Sequence, residues 1–543
     1  MLPHNVVLVP LGDDFRYSNA KEFDQQYENY MQIMKFINSG DYHAHVSFGT
    51  LKDYFSEVRS RMSDFSTLSG DFHVYSDIFS EGRPAYWSGY YFTRPYIKLL
   101  SRQVANKLRG VEIMYTLVMG MVLKQGDQIP YSVLASLYPD LVDARRALGL
   151  FQHHDAITGT SKEYVMNDYE FKLRKALKNL NKLEGMTAFY SIQKSREEIM
   201  MNQPLLHINP RNKGEDHNEF ILIDLNYKSE QKIVIYNSLP HRVERIGYFV
   251  TNYESVCVYD DSGEEVDVQV APVYNVTDQP RLDLSKYSVW FRAPLDAVSL
   301  AVFSAKKCTG EIKASKVYCT RCPDSKKYSG FALKSIPDGA VQLENQIYKL
   351  VFDAETKLLT NITNKISGEV KVVALEFASY TSKFFRSGAY LFAVEETKGV
   401  PTEIPLFTAA DIADVMIVSG PVFSEIRVLW QIPGQGGLAT FLHSVRLVHG
   451  TGPISEAIHL QNMFDFGPSP NFRDTEFFMR FESQLKNGAS RRLFTDQAGL
   501  SMVERTFAEQ AGIEGEINFR DSSCAIILSF CHLGVMCYIT CFK

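Results

Sequence analysis

The sequence predicts a multidomain α/β + α + β protein: a C-terminal fragment of an α/β barrel-like domain, then a three-helix bundle, then β-sandwich domains. Three observations support this prediction. The 543 residues exceed what one hydrophobic core usually organises. Apolar side chains recur every three to four residues between 95 and 200, and short β-rich runs follow from about residue 205. The expected domains are residues 1–80, 81–200 and 201–330, an incomplete domain over 331–530, and an apolar tail over 531–543.

Strand and helix signals alternate in the first domain. The apolar run at residues 6–10 predicts a strand, and the turn residues Gly12, Asp13 and Asp14 follow it. A helical pattern over residues 22–38 precedes a short strand at 46–48 and a second helix from residue 51. This alternation is typical of a βα barrel or a layered sheet, but the segment is too short to close a barrel. We therefore expect a partial α/β domain.

Three apolar stripes predict the helices of a bundle. They run from Ile97 to Val122, from Val133 to Leu148 and from Met166 to Leu180. Each follows the spacing of an amphipathic helix, and short polar turns separate them. The loop at residues 151–160 joins the second stripe to the third.

The remainder of the chain predicts sandwich-type β domains. Many short β-rich runs are separated by turn residues, as all-β architectures require. The runs lie at residues 220–223, 233–236, 289–291, 298–303, 347–352, 415–418 and 439–448.

Charge and terminal segments limit the classes of partner. A net charge of −6 gives no electrostatic case for nucleic acid. The first residues show no charged segment followed by an apolar one, so we expect no signal peptide or N-terminal anchor here. Because these residues enter a predicted strand at once, we also expect sequence to be missing upstream. The apolar run 525–542 is long enough to span a bilayer, yet it has no basic flank on its N-terminal side. An aberrant end is favoured over a membrane anchor.

Cysteines and sequons bear on the compartment. The eight cysteines form two groups, and Cys319 and Cys322 have the C-x-x-C spacing of a zinc ribbon. With no second such pair nearby, a disulfide or plain thiols are favoured over zinc. N-glycosylation sequons begin at Asn275 and Asn361, which fits a secretory route.

Two polar motifs contain the groups most suited to chemistry. His153, His154 and Asp155 lie together in the loop at residues 151–160 and are able to bind a metal. Asp13 and Asp14 follow the first predicted strand, where α/β enzymes place catalytic carboxylates. Glycoside hydrolysis needs two carboxyl groups, and mutual repulsion tends to raise the pKa of one of an adjacent pair. The alternative is that the Asp pair only forms a turn or helix cap.

These motifs resemble those of the Golgi-type α-mannosidase II enzymes of glycoside hydrolase family 38. Residues 153–160 match the family's HHDAITGT motif, and residues 10–17 match its PLGDDFRY motif. Residues 68–72 and 86–91 match further family blocks in the same order. The resemblance extends from residue 6 to about residue 530.

The resemblance implies a function and a role for each matching residue. The function is retaining, zinc-dependent hydrolysis of terminal α-linked mannose in N-glycan processing in the Golgi lumen. Asp14 corresponds to the proposed acid/base, with Asp13 supporting it, and His154 corresponds to a zinc ligand. Asp155 corresponds to a residue that hydrogen-bonds mannose, and Trp87 to an aromatic wall of the sugar pocket.

The same resemblance predicts a departure from the family. Its other zinc ligands, including a His-x-Asp pair, and its nucleophile lie upstream of the Gly-Asp-Asp motif, so we expect this chain as written to be inactive. The alternative function is a truncated isoform that contacts carbohydrate or binds a partner protein. The expected ligand is a mannose-containing N-glycan, a homodimer is left open, and membrane attachment would depend on residues 525–542.

Overall fold

The computed structural model covers the predicted domains with gaps. It describes residues 4–65, 67, 75–80, 83–192, 222–225, 230–275, 281–308, 314–321, 333–385, 387–434, 437–465, 473–483, 492–497, 501–506, 524–529 and 535–539. The family-like block at residues 68–72 lies outside these residues. The chain divides into two compact units, Met1–His73 and Val74–Lys543.

The first unit contains the two predicted helices, α1 (Ala20–Ser39) and α2 (Leu51–Arg61). Their N-termini are capped by side chains, as backbone N–H groups in a first turn require. Asn19 accepts a hydrogen bond from the Glu22 N–H at 2.9 Å. Thr50 and Asp53 form a reciprocal capping box at α2.

The two strands predicted in this unit were wrong. Residues 6–10 and 46–48 are not in strands in the structure. Val7 is 68% exposed, and the backbone of Val46 is bound by a side chain, since Asn38 accepts from its N–H and donates to its carbonyl. A β-strand exists only through pairing with a neighbour, which an apolar run cannot guarantee.

The predicted bundle is confirmed as α3 (Pro95–Gln125), α4 (Gln128–Phe151) and α5 (Glu163–Ile192). Pro95 begins α3, where a missing N–H costs nothing, and Gly126 ends it in the left-handed conformation. All three helices contribute to one core, which includes Val111, Leu141 and Leu173. The apolar stripes seen in the sequence therefore face one another.

Strands dominate the remainder of the second unit. Their bounds are β1 Ser76–Ser80, β2 Arg83–Tyr86, β3 Leu222–Ile223, β4 Glu230–Asn237, β5 Val243–Thr251, β6 Val256–Tyr259, β7 Val268–Asn275, β8 Arg281–Leu295, β9 Ser299–Lys307, β10 Lys316–Cys319, β11 Leu333–Ser335, β12 Val341–Glu344, β13 Tyr348–Phe352, β14 Leu359–Asn364, β15 Val370–Thr381, β16 Glu396–Thr397, β17 Val400–Pro401, β18 Glu403–Pro405, β19 Ile412–Ser419, β20 Phe423–Gly434, β21 Gly437–Val448, β22 Ile458–Asp465, β23 Thr475–Ser483, β24 Arg492–Gln497, β25 Ser501–Thr506, β26 Cys524–Ser529 and β27 Val535–Ile539.

The strands form sheets that enclose two cores. One sheet has the order β3-β5-β8-β7 and a second has β4-β9-β6. A seven-stranded sheet has the order β11-β10-β19-β20-β21-β22-β27. Another has the order β12-β13-β14-β15-β23-β26, with β18 also paired to β15. The mixture of a helical domain and a sheet-rich region is confirmed, whereas the barrel-fragment and sandwich details stay predictions.

The sheet built on β19 and β20 is covered on both faces. Met416 and Val418 pack into one core together with Phe291, whereas Val415 and Ile417 pack into the other. This alternation along β19 follows from the two-residue period of a strand. The predicted boundary at residue 330 falls inside this sheet, because β10 pairs with β19.

The apolar C-terminal run contains strands where it is described. β26 pairs with β23, and β27 pairs with β22 at the edge of its sheet. The tail expected over residues 531–543 thus includes a sheet strand. Among the described residues, no helix is long and apolar enough to cross a membrane.

Three described cysteines are disulfide-bonded. Cys257 and Cys308 form a disulfide that joins β6 to the end of β9. Cys319 is also disulfide-bonded, as the sequence favoured over zinc, while Cys322 lies outside the described residues.

Candidate functional site

The loop after α4 presents three metal-capable side chains on a fixed backbone. Phe151 and Ala156 are both fully buried in the helical core and anchor the loop at two points. Between them the chain turns tightly, since the N–H groups of Ala156 and Ile157 both donate to the His153 carbonyl. The intervening side chains therefore point away from the core.

His153, His154 and Asp155 converge at this turn. His153 Nε2 lies 3.2 Å from Asp155 Oδ2, within hydrogen-bonding distance. His154 Nε2 lies 3.7 Å from the same oxygen, and its side chain is 84% exposed. The ligand atoms of all three residues lie within 4.8 Å of one another. The carboxylate thus orients His153 directly and leaves the His154 ring facing outward.

Hydroxyl groups hold the backbone of the same turn. Thr158 Oγ1 donates to the His154 carbonyl at 2.5 Å, and Ser161 Oγ donates to the Asp155 carbonyl at 2.5 Å. These bonds give hydrogen-bond partners to two carbonyl groups of the turn that follows α4. The positions of His154 and Asp155 are consequently fixed by the loop itself.

A second segment supports the loop from the start of α3. Arg94, in the left-handed conformation with φ 48°, donates to the carbonyls of Gly159 (2.6 Å) and Ser161. Gly159 has φ +76°, and a Cβ there would lie 2.4 Å from the Thr93 carbonyl oxygen. Only glycine permits both this conformation and this close approach. The Gly-Thr end of the motif is therefore a packing requirement.

A third segment reaches the site from the β region. The N–H of Gly89 donates to the Tyr390 carbonyl at 2.9 Å. A Cβ at Gly89 would lie 3.0 Å from the carbonyl oxygens of Gly388 and Ala389. Thr93 Oγ1 lies 2.8 Å from the Ala389 carbonyl oxygen, which fixes the same loop a second time. The loop between β15 and β16 is thus attached to the segment that precedes α3.

Tyr390 connects the candidate side chains. Its hydroxyl lies 3.5 Å from Asp155 Oδ1, a long hydrogen bond, and its ring packs edge-on against Trp87 at 5.8 Å between centroids. The Tyr75 ring also packs edge-on against Trp87, at 5.4 Å between centroids. The structure therefore brings Trp87, Asp155 and Tyr390 to one surface, which we call the 87/155/390 wall. His154 lies beside it, next to Asp155.

Asp13 and Asp14 lie in the first unit on an exposed turn. The Asp14 N–H donates to Asp13 Oδ1 at 2.8 Å, and the Asp13 carbonyl accepts from the Arg16 N–H at 3.2 Å. The local geometry is that of a turn, the alternative weighed from the sequence. Their catalytic role stays a prediction.

Sequence reasoning missed Tyr390. It is one of 29 tyrosines, and it lies in a loop of the β region with no polar motif around it. Gly388, two residues away, gave no signal of close packing, because nothing lies within 4 Å of its Cβ position. No local pattern therefore marked Tyr390 as part of a ligand site.

The donor atoms at His154 suit zinc. Imidazole nitrogen and carboxylate oxygen are both common zinc ligands, but a site normally takes three or four of them from the protein. His154 is oriented outward, and Asp155 Oδ2 already accepts from His153. The residues therefore fit one ligand of a shared site better than a complete one.

Three successive parts of the chain match known protein families. Residues 2–78 match the glycosyl hydrolases family 38 N-terminal domain, and residues 343–518 match the family 38 C-terminal domain. Residues 85–188, which include the 151–160 loop, match the alpha mannosidase middle domain. The chain belongs to glycosyl hydrolase family 38.

Individual family 38 proteins are similar over almost the whole chain. Alpha-mannosidase 2 of Spodoptera frugiperda is 34% identical over 95% of this chain and 46% of its own length. Alpha-mannosidase 2 of Mus musculus is 30% identical over 94% of this chain and 44% of its own length. That of Drosophila melanogaster is 29% identical over 92% and 44%. The chain spans about half the length of these relatives.

Proposed function

We propose that this chain functions in a retaining, zinc-dependent α-mannosidase that removes terminal α-linked mannose from N-glycans. In this proposal, the residues of the 87/155/390 wall bind the sugar. The observation that supports this most directly is the contact between Tyr390 and Asp155, because it unites two family 38 domains at one polar and aromatic surface.

The wall has the chemistry that a mannose ring requires. A carboxylate with two oxygens accepts hydrogen bonds from neighbouring sugar hydroxyls, which are stronger than bonds between neutral groups. The long 3.5 Å contact leaves Asp155 Oδ1 and the Tyr390 hydroxyl able to exchange it for bonds to a ligand. The Trp87 ring supplies an apolar surface for the C–H face of the sugar.

His154 is the proposed zinc ligand of this chain. It would bind the ion through an imidazole that is 84% exposed, while the loop fixes its backbone. When bound, zinc would act as a Lewis acid that binds and polarises sugar oxygens. Asp155, adjacent in sequence, would then orient the same sugar by hydrogen bonds.

Asp14 is the proposed acid/base group and Asp13 its support. In a retaining mechanism one carboxylic acid protonates the leaving oxygen and later activates water, while a second carboxylate attacks the sugar. We also assign this chain to the Golgi lumen, because its motifs resemble those of Golgi-type family 38 enzymes. The Cys257–Cys308 disulfide supports an oxidising compartment of the secretory route.

The test separates sugar binding from turnover. The purified chain is titrated with methyl α-mannoside by calorimetry, and it is assayed separately with an aryl α-mannoside, with and without zinc. Asp155→Asn and Tyr390→Phe should weaken binding. Asp168→Asn is the matched control, since that exposed carboxylate on α5 pairs with Lys172 rather than with the wall.

Each outcome has a distinct meaning. Zinc-dependent turnover that Asp14→Asn and His154→Ala both abolish supports the full proposal. Mannoside binding without turnover favours the alternative function, a carbohydrate-contacting module. Equal binding by Asp155→Asn and Asp168→Asn would refute the role assigned to the wall.

A further inference from the structure

The second sequon lies on the outer face of a β-sheet. Residues 361–363 belong to β14, in which Ile362 is buried and its neighbours Asn361 and Thr363 are half-buried. Ile362 is 7% exposed and packs in the core between the two larger sheets. Asn361 and Thr363, the two residues that define the sequon, are therefore on the opposite face.

Two exposed valines lie beside the sequon on that face. Val372 of β15 lies directly opposite Asn361, and Val370 lies directly opposite Thr363. These valines are 52% and 53% exposed. In an antiparallel sheet with one face in solvent, the outward positions are usually polar, so two outward valines are unusual. Ile366, in the turn that follows β14, is 78% exposed. Cross-strand partners lie only about 5 Å apart, so Val372 adjoins Asn361 and Val370 adjoins Thr363.

Disulfides in the second unit indicate the oxidising compartment in which asparagine is glycosylated. The Cys257–Cys308 disulfide and the oxidised Cys319 belong to a protein folded under oxidising conditions. A sequon in such a protein is accessible to the glycosylation machinery, and it marks a surface position.

We propose that Asn361 bears an N-linked oligosaccharide, which covers the apolar patch formed by Val370 and Val372. In the transfer, Asn361 Nδ2 forms a bond to the anomeric carbon of a lipid-pyrophosphate-linked oligosaccharide. The bond between that carbon and the phosphate breaks, the lipid pyrophosphate leaves, and Nδ2 loses one proton. The apolar faces of the first sugar rings then pack over the valines.

The position of β14 also dictates when this transfer takes place. β14 pairs with β13 on one side and with β15 on the other, so its backbone is fixed in the folded sheet. A transferase needs access to the backbone around the asparagine. Glycosylation therefore precedes pairing of β14, and the folded, unmodified chain is not a substrate.

The test uses the full chain, fused to a cleavable secretion signal so that it enters the secretory route, and secreted from insect cells. Glycopeptide mass spectrometry should find a glycan on Asn361, and Asn361→Gln and Thr363→Ala should both eliminate it. Thr363→Ser is the matched control, because it changes the same side chain but preserves the sequon. Asn275→Gln removes the other sequon, so any remaining glycan belongs to Asn361. An unmodified Asn361 in the secreted wild-type chain would overturn the proposal.

A second measurement examines the covered patch. Enzymatic removal of the glycan from the folded protein should raise the fluorescence of an apolar dye several-fold. The same treatment of a Val370→Thr, Val372→Thr variant should produce a much smaller rise. Equal rises in both proteins would refute the claim that the glycan covers these valines.

Discussion

Replacement of Gly159 by alanine should destabilise the helical bundle and disturb the candidate site. Gly159 has φ +76°, and its Cβ position lies 2.4 Å from the Thr93 carbonyl oxygen and 3.2 Å from Arg94 Cβ. The nearest atom belongs to the backbone, so a flexible side chain cannot relieve the contact. The Thr93 carbonyl must move by about 1 Å to restore a normal contact distance.

The magnitude has two parts. An L-residue in the left-handed conformation costs about 1–2 kcal/mol. Displacement of Thr93 adds a strain of about 1–3 kcal/mol, typical of an overpacked site, and weakens the Arg94 bond to the Gly159 carbonyl. The expected loss of stability for Gly159→Ala is therefore about 2–5 kcal/mol.

Gly126→Ala provides the matched control. Gly126 has φ +71°, almost the same conformation, but nothing lies within 4 Å of its Cβ position. It should show only the conformational cost of about 1–2 kcal/mol. Urea unfolding followed by far-UV circular dichroism would measure both variants, since the helices dominate that signal and the midpoint reports stability at constant slope.

Two results would refute this reasoning. Equal destabilisation by Gly126→Ala and Gly159→Ala would mean that the close approach to Thr93 contributes nothing. Unchanged mannoside binding by Gly159→Ala, despite the expected loss of stability, would mean that the loop does not position Asp155.

Three further predictions concern the wall and the β region. Tyr390→Phe removes the hydroxyl that faces Asp155, so mannoside binding should weaken by about 0.5–1.5 kcal/mol in calorimetry while the urea midpoint stays unchanged. Burial lowers the pKa of His443 to about 4, and its hydrogen bond to Asn462 raises it less. Below about pH 6.5, His443 therefore binds a proton in the unfolded chain but stays neutral in the folded chain until the pH approaches about 4. Stability should fall by about 3 kcal/mol as the pH drops from about 6.5 to about 4, and His443→Gln should flatten this slope in urea titrations. The Cys257→Ser, Cys308→Ser double variant should lose about 4 kcal/mol in the same assay, because the bond closes a loop with a sequence separation of 51.

Local patterns in the sequence predicted the helices well and the isolated strands poorly. The stripe from Ile97 to Val122 reappears as the buried face of α3, because helical hydrogen bonds lie within one segment. Residues 6–10 are equally apolar but form no strand, because a strand depends on partners elsewhere in the chain. The sequence pattern contains no information about those partners.

The same distinction applies to the candidate site. The motif around His154 and Asp155 was recognised from ten consecutive residues, and the structure places both at one turn. Tyr390 could not be found in this way, because a separation of 235 residues divides it from Asp155. The apolar C-terminal run was ambiguous for a related reason, since hydropathy does not distinguish a sheet strand from a membrane segment.

The separation of Tyr390 from Asp155 has a kinetic consequence. The helices and the 151–160 loop leave the ribosome first, long before the segment that contains Tyr390 has been synthesised. Closing a chain loop of 235 residues costs an entropy equivalent to about 5 kcal/mol, which the single Tyr390–Asp155 contact cannot offset. Contacts of such high order form late and together with the structure around them. The 87/155/390 wall should therefore form in one cooperative step at the end of folding, and the fluorescence of Trp87 should report that step.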